Sequence, residues 1–171
     1  MRIAVLAVLL VSAAIAVAGQ SSPDAKLQAQ LKQLFPSATG FSAKEGQPPH
    51  FKAYSGGQTV AGYAFWTTEL EPLERAYDGP IKILVGMNPK GILTGIIVVD
   101  HHEPYGNFSV DPPQFALQFK NKNIRDPFKV GSDIDAVSRA TISITSSTRA
   151  IKNSARRMAR EYLTPPETGG K

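Results

Sequence analysis

The chain of 171 residues contains no cysteine. This absence excludes disulfide bonds, a lipoprotein anchor, a CxxCH haem attachment site, an iron–sulfur cluster and a thiol nucleophile. Any redox chemistry in this protein must therefore use a cofactor that is held without sulfur ligands.

Other common signatures are also missing. The sequence has no Gly-x-Gly-x-x-Gly motif and no alternation of strands and helices, which disfavours a Rossmann-type nucleotide site. No segment repeats at a fixed period, which argues against a solenoid or a propeller. No nucleophile–His–Asp arrangement can be argued from the sequence, and we predict no catalytic residues of an independent enzyme. The 42% of hydrophobic and 19% of charged residues are typical of one globular domain.

The N-terminal apolar stretch is too short for an ordinary membrane span. After Arg2, residues 3–18 are almost wholly apolar, interrupted by Ser12, whereas a spanning helix needs about 20 residues. The stretch ends in Ala16-Val17-Ala18, a pattern that signal peptidase accepts, and polar residues follow it.

This pattern predicts three parts of the chain. Residues 1–18 are a signal peptide or, alternatively, an uncleaved N-terminal anchor; 19–163 form the folded domain; and 164–171 are a flexible tail. Both alternatives for the first part imply that the domain is exported. The formal charge of +5 could suit nucleic acid, an anionic membrane or an acidic partner, but export argues against nucleic acid.

Hydrophobic periodicity and turn residues predict an α+β fold, with an antiparallel β-sheet that contains a hairpin and is flanked by N-terminal and C-terminal helices. The predicted elements are a helix over 25–35, a loop over 39–49, strands over 60–67, 81–87 and 92–99, an irregular stretch over 100–113, a short helix over 114–119 and a long basic helix from 146 or 147 to 163. The turn sequence Asn88-Pro89-Lys90-Gly91 joins the last two strands.

A hydroxyl-rich segment precedes the last helix. It reads Asp135-Ala136-Val137-Ser138-Arg139-Ala140-Thr141-Ile142-Ser143. At a helix N-terminus, free backbone N–H groups and the positive end of the helix dipole favour an anion such as a phosphate. The spacing is also compatible with hydroxyls that only cap the helix.

This segment resembles the flavinylation motif Asp-x-x-Ser/Thr-Gly-Ala-Ser/Thr of periplasmic FMN-binding domains. Such domains occur in the Rnf electron-transport complex, in the sodium-translocating NADH:quinone oxidoreductase, and in the membrane-bound regulator of nitrous-oxide reductase. The chain looks most similar to the regulator branch, as a stand-alone domain.

In that family, a dedicated flavin transferase of the ApbE type consumes FAD and esterifies the last motif residue to the FMN phosphate. The resemblance therefore implies covalent FMN on Thr141, with Asp135, Ser138, Arg139 and Ala140 as further cofactor-binding positions. Arg139 stands where the commonest motif has glycine, and a cation beside a phosphodiester is electrostatically favourable.

The resemblance extends from about residue 31 to residue 163. It is carried by Leu34-Phe35-Pro36, Gly62-Tyr63-Ala64-Phe65, the hairpin Ile83-Leu84-Val85-Gly86 to Gly95-Ile96, and His101-His102-Glu103-Pro104. From these segments we predict Gly62, Tyr63, His102 and Glu103 as further contacts of the cofactor.

Two of these groups have alternative interpretations. Adjacent residues of an extended chain point to opposite sides, so His101 and His102 are predicted to shape the flavin pocket or its loop, or to be plain loop structure, and no metal site is predicted. The aromatic residues Tyr63, Phe65 and Trp66 could stack on a flavin ring, but aromatic residues of a strand more often belong to the core.

The basic face of the last helix is also open to two interpretations. It is either a solvated surface or a docking surface for an acidic partner or for anionic lipid headgroups. Its members are Arg149, Lys152, Arg156, Arg157 and Arg160.

The resemblance implies an electron carrier rather than an independent enzyme. We predict a periplasmic or membrane-associated flavoprotein that relays electrons between membrane or periplasmic redox proteins, after maturation by the transferase. The alternatives are a sensory or non-covalent flavin-binding module, and an unrelated exported scaffold.

Overall fold

A computed structural model describes residues 23–70 and 72–163 of the chain. The predicted signal peptide and the predicted tail lie outside the described residues. Within them, no helix combines the length and the apolar character that a membrane span needs.

Ten elements follow one another along the described chain. They are α1 (Ala25–Leu34), β1 (Gly40–Phe41), β2 (Phe51–Ser55), β3 (Thr59–Trp66), a 3-10 turn (Thr67–Glu69), β4 (Lys82–Met87), β5 (Leu93–Asp100), α2 (Gly106–Ser109), α3 (Pro113–Leu117) and α4 (Thr141–Tyr162). The strands form one antiparallel sheet in the order β1-β2-β3-β4-β5, so that every strand pairs with its neighbours in sequence. The predicted α+β class, with helices before and after an antiparallel sheet, is confirmed.

Local chemistry explains the elements that the sequence predicted well. Helix α1 begins where the Asp24 carboxylate accepts a hydrogen bond from the backbone N–H of Leu27 at 2.8 Å, which is an ordinary N-cap. The β4–β5 hairpin closes because the Asn88 side-chain oxygen accepts from the N–H groups of Lys90 and Ile92. Gly91 follows with a φ of 75°, which glycine adopts without strain.

Three predictions of local structure are wrong. Helix α4 begins at Thr141 rather than near residue 146, because Ser146 and its hydroxylated neighbours are buried against the body of the domain instead of capping the helix. The predicted loop over 39–49 contains β1, which pairs with the unpredicted strand β2. Helix α2 lies within the stretch 100–113 that was predicted to be irregular.

The sheet carries a hydrophobic core on each face. One core packs β3–β5 against α4 and the short helices, and its fully buried members include Phe65, Ile83, Val85, Met87, Phe119, Ile144, Ile151 and Met158. The other packs the opposite face against α1 and includes Leu31, Leu34, Phe35, Phe51, Trp66 and Leu84. Alternation along β4 sends Ile83 to one core and Leu84 to the other.

Candidate functional site

The first turn of α4 presents an exposed hydroxyl. Thr141 is the first residue of the helix and is exposed. Its neighbour Ala140 occupies the N-cap position and is only 3% exposed. Within residues 23–70 and 72–163, no side chain makes a cap hydrogen bond to this helix end. The hydroxyl-rich segment therefore does not cap the helix, and the N–H groups of the first turn remain available to an anion.

A tight turn leads the chain into this helix end. The N–H of Ala140 donates to the carbonyl oxygen of Val137 at 3.1 Å, and Arg139 between them has a φ of 69°. A non-glycine residue in this left-handed region costs roughly 1–2 kcal/mol. The conformation explains why glycine suits this position of the motif.

The other motif residues lie on the surface leading to Thr141. Asp135 and Ser138 are both exposed. The backbone N–H of Asp135 donates to the Gln118 side-chain oxygen at 2.6 Å, which fixes the start of the segment to the region after α3. Both residues are therefore accessible from the solvent.

Glu103 connects three segments behind the helix end. Its side chain is almost fully buried, and its carboxylate accepts hydrogen bonds from the Ser143 hydroxyl and from the N–H groups of Tyr77, at 3.3 Å, and Asp78, at 2.8 Å. Ser143 belongs to the first turn of α4, while Tyr77 and Asp78 lie in the loop before β4. A carboxylate that accepts three hydrogen bonds can remain buried without a cationic partner.

The two adjacent histidines differ in their surroundings. The Nδ1 atom of His101 accepts from the backbone N–H of Glu103 at 3.1 Å, and its Nε2 atom lies 2.7 Å from the Asp111 carboxylate. This pattern matches a neutral ring that donates through Nε2, and it holds the chain on which Glu103 lies. His102 is exposed.

A depression of about 470 Å³ opens beside Thr141. Its apolar walls include Tyr77, Tyr105 and Ile142, whose side chains are 70%, 47% and 55% exposed. Arg139 and Pro104 complete the rim. Several large exposed apolar side chains around one exposed threonine indicate a candidate binding region.

Sequence reasoning did not find Tyr77 or Tyr105. Tyr77 is distant in sequence from the motif and reaches it through the hydrogen bonds that its loop makes to Glu103. The one available signal for Tyr105 was its position two residues after Glu103 in the segment on which the resemblance rests.

The structure places Gly62 and Tyr63 far from Thr141. Tyr63 packs on Tyr162, the last residue of α4, with ring centroids 5.7 Å apart, and a helix of 22 residues is about 33 Å long. Gly62 is needed for packing, because an added Cβ would lie 2.4 Å from the Phe35 ring. Their predicted contact with the cofactor stays untested, and their positions give it no support.

The remaining aromatic candidates belong to the cores. Phe65 is fully buried in the core beneath α4. Trp66 is 7% exposed in the opposite core, where the Lys82 ammonium lies 4.7 Å from its ring centroid. This is the commoner of the two interpretations that the sequence left open.

Part of the basic face of α4 is used inside the molecule. Arg156 donates to the carbonyl oxygens of Ile124 and Asp126 at 2.7 and 3.0 Å, and Lys152 donates to that of Pro127 at 2.9 Å. These two side chains fasten the segment 124–127 to the helix. The basic face is therefore not only a solvated surface.

Comparison with known proteins identifies the family to which this region is similar. Residues 76–156 match the FMN-binding domain family, a range that contains Tyr77, Glu103, Tyr105 and Thr141. Residues 76–156 therefore belong to the FMN-binding domain family. The sequence resemblance is confirmed, and the FMN-binding domain spans β4, β5 and most of α4.

Two kinds of curated relatives are similar to this chain. One component of the ion-translocating oxidoreductase complex of Haemophilus influenzae is 33% identical over 110 residues, which cover 58% of this chain and 49% of that component. Regulatory protein NosR of Stutzerimonas stutzeri is 28% identical over 148 residues, which cover 80% of this chain and 20% of that protein. The chain thus spans about half the length of the first relative and a fifth of the second.

Proposed function

We propose that the chain carries FMN covalently on Thr141 and relays electrons between redox proteins outside the cytoplasmic membrane. The observation that carries this proposal is the exposed Thr141 hydroxyl on the uncapped first turn of α4, within an FMN-binding domain. The apolar stretch at residues 3–18 supports export. The name of the Haemophilus influenzae relative, which assigns that protein to an oxidoreductase complex, supports a role in electron transfer.

Attachment needs a nucleophilic hydroxyl and an activated phosphate. The Thr141 oxygen forms the new bond to the flavin-side phosphorus of FAD, the pyrophosphate bond breaks, AMP leaves, and the hydroxyl proton passes to a base on the flavin transferase. The chain itself needs only to present the hydroxyl. Its exposure and the accessible side chains of Asp135 and Ser138 suit a surface that a transferase must contact.

The residues around Thr141 fit the parts of FMN. The free N–H groups of the first turn and the cation of Arg139 favour the remaining negative charge of a phosphodiester. The exposed side chains of Tyr77, Tyr105 and Ile142 offer apolar walls to a flat aromatic ring system. When bound, FMN supplies the reversible uptake of one or two electrons.

Glu103 has a positioning role in this proposal. Its carboxylate joins the loop of Tyr77 to the first turn of α4, so that one wall of the depression is held at a fixed distance from Thr141. A covalent tether and a preformed wall together keep a cofactor from being lost outside the cytoplasmic membrane. The partners we propose are a flavin transferase and membrane or periplasmic redox proteins.

The decisive experiment is the intact mass of the protein after co-expression with a flavin transferase. We expect one FMN adduct on the wild type and on Thr145→Ala, a control that removes a hydroxyl one turn along the same helix, and none on Thr141→Ala. Yellow colour should survive denaturation in the first two proteins only.

The opposite results are equally informative. A folded wild-type protein that gains no adduct contradicts the covalent proposal. If it still binds free FMN reversibly, the protein is a non-covalent flavin-binding or sensory module. An adduct that persists in Thr141→Ala shows that the attachment residue is wrong.

A further inference from the structure

A second depression lies along α4 and shares Thr141 with the first one. It has a volume of about 550 Å³. One wall is the helix face of Thr141, Thr145, Thr148, Arg149 and Lys152, and the other is the segment 127–130 with Ala136. The aromatic residues of the first depression take no part in it.

The wall of this depression contains a buried hydroxyl without a partner. Thr148 is 1% exposed, and its side-chain oxygen has no hydrogen-bond partner among residues 23–70 and 72–163. It lies seven residues after Thr141, close to two helical turns, and therefore on the same helix face. Leaving a buried hydroxyl unpaired costs about 1–3 kcal/mol, which a ligand that accepts its hydrogen would recover.

The same depression carries an excess of positive charge. The exposed Lys129 side chain has no ion pair or hydrogen bond within the described part of the chain. Lys152 uses one of its three N–H donors on the Pro127 carbonyl oxygen. Arg149 is 58% exposed, and its Nε lies 3.4 Å from the Glu74 carboxylate.

The nearby carboxylates do not cancel this charge. Glu74 also accepts from the Asn153 amide at 3.0 Å. Asp133 is already bonded to the Lys122 ammonium and to the backbone N–H groups of Phe128 and Lys129. Three cations therefore line the depression, and one of them shares a carboxylate.

We propose that this depression is a binding site for a phosphate-type oxyanion, held by the Thr148 hydroxyl and the side chains of Lys129, Arg149 and Lys152. Two sources of such a group are possible: the phosphodiester on a flavinylated Thr141, or a separate phosphate-bearing ligand. Thr141 is not among the four residues proposed to hold the oxyanion, so the proposal does not depend on covalent attachment at Thr141.

The test is a titration of the unflavinylated protein with inorganic phosphate, followed by amide NMR shifts at constant ionic strength. We expect saturable shifts around residues 129 and 148–152, and none with chloride. Thr148→Val, which replaces the hydroxyl by a methyl group, should weaken binding about fivefold or more. The control Ser147→Ala removes a buried hydroxyl of the same helix that does not line the depression, and it should not weaken binding. Lys129→Gln should also weaken binding.

Two results would overturn the site: no saturable shift in the folded wild type, or equal binding by the wild type and Thr148→Val. The flavinylated protein then identifies the source. Loss of phosphate binding after flavinylation means that the cofactor phosphodiester occupies the site. Unchanged binding means that the site serves a separate phosphate-bearing ligand.

Discussion

At the scale of single residues, Arg139 combines an unfavourable backbone with a useful charge. Its φ of 69° is the conformation that glycine adopts most easily. Its side chain lies on the rim of the depression beside Thr141, where a cation faces the place proposed for the cofactor phosphate. A strained residue at a candidate site is expected where function outweighs stability.

Replacing Arg139 by glycine should therefore stabilise the protein. We expect Arg139→Gly to raise the free energy of unfolding by about 1 kcal/mol, since the left-handed penalty is removed. The matched control is Ser138→Gly, because Ser138 has no positive φ. This variant should lose about 0.4–1 kcal/mol, since glycine gives the unfolded chain more conformational freedom. Urea denaturation of the three proteins measures both values, and a loss of stability in Arg139→Gly would contradict the assignment of strain.

Replacing Glu103 should weaken the connection between the loop of Tyr77 and Asp78 and the first turn of α4. In Glu103→Gln the amide NH₂ would face one of the N–H or O–H donors that now point at a carboxylate oxygen. We expect a loss of about 2–3 kcal/mol in the free energy of unfolding. We also expect faster hydrogen exchange at Tyr77 and Asp78.

The exposed neighbour His102 supplies the control for that variant. His102→Gln should change the free energy of unfolding by less than about 0.5 kcal/mol. Equal protection of the Tyr77 and Asp78 amides in the wild type and Glu103→Gln would show that this carboxylate does not hold the loop.

At the scale of elements, the segment between α3 and α4 is organised around Asp133. Burial alone would raise the pKa of its carboxyl, but hydrogen bonds from Lys122 and from the backbone of Lys129 and Phe128 together lower that pKa below its ordinary value of 3.8. These contacts fix the backbone that forms one wall of the second depression.

The lowered pKa predicts acid sensitivity of this segment. Because the folded pKa lies below the unfolded one, the ionised carboxylate contributes its full stability above the ordinary value of 3.8. This contribution is lost as the pH falls through the folded pKa. Asp133→Asn should lower the free energy of unfolding by about 1–3 kcal/mol at pH 7.

The same comparison at lower pH tests the cause. The difference in free energy of unfolding between wild type and Asp133→Asn should stay constant above about pH 5. It should shrink below about pH 4. A difference that does not depend on pH would mean that the negative charge contributes nothing.

Elements with local signals were predictable, and those that depend on distant contacts were not. The Asp24 cap and the turn around Asn88 are encoded within a few residues, and α1 and the hairpin were predicted nearly to their ends. The start of α4 was misplaced because serine and threonine usually mark helix ends. Here Ser143 and Ser146 are held inside the helix by Glu103 and by the carbonyl oxygen of Arg75.

The candidate site also contains a part that could be predicted from the sequence and a part that could not. Thr141 and its motif could be found because they are contiguous in sequence. The wall formed by Tyr77 could not, since its place depends on a hydrogen bond across 26 residues. The second depression was also beyond prediction, because it needs the register between α4 and the segment 127–130.

At the scale of the whole molecule, the sheet separates the core packed against α1 from the site around Thr141. Helix α1 packs on the face opposite to α4, and its fully buried Leu31 contacts the core that contains Trp66 and Leu84. The site around Thr141 is built on the other face. A defect in one core should therefore leave the surroundings of Thr141 intact as long as the chain remains folded.

Leu31→Ala tests this separation. Loss of a buried leucine side chain should lower the free energy of unfolding by about 2–5 kcal/mol. The folded fraction should still accept FMN from the transferase to the same extent as wild type, as measured by intact mass after removal of unfolded protein. A folded variant that is modified much less would show that the two faces are coupled.

The order of the elements has a consequence in time. Neighbouring strands pair in chain order, so that the sheet can assemble from local contacts, whereas Thr141 opens the last element. Its surroundings are complete only when Ala140 has been buried, the Ser143 hydroxyl has bonded to Glu103 and Ile144 has entered the core. A transferase that recognises this folded surface would add flavin only to fully folded molecules. The yellow colour of the protein would then report that folding is complete.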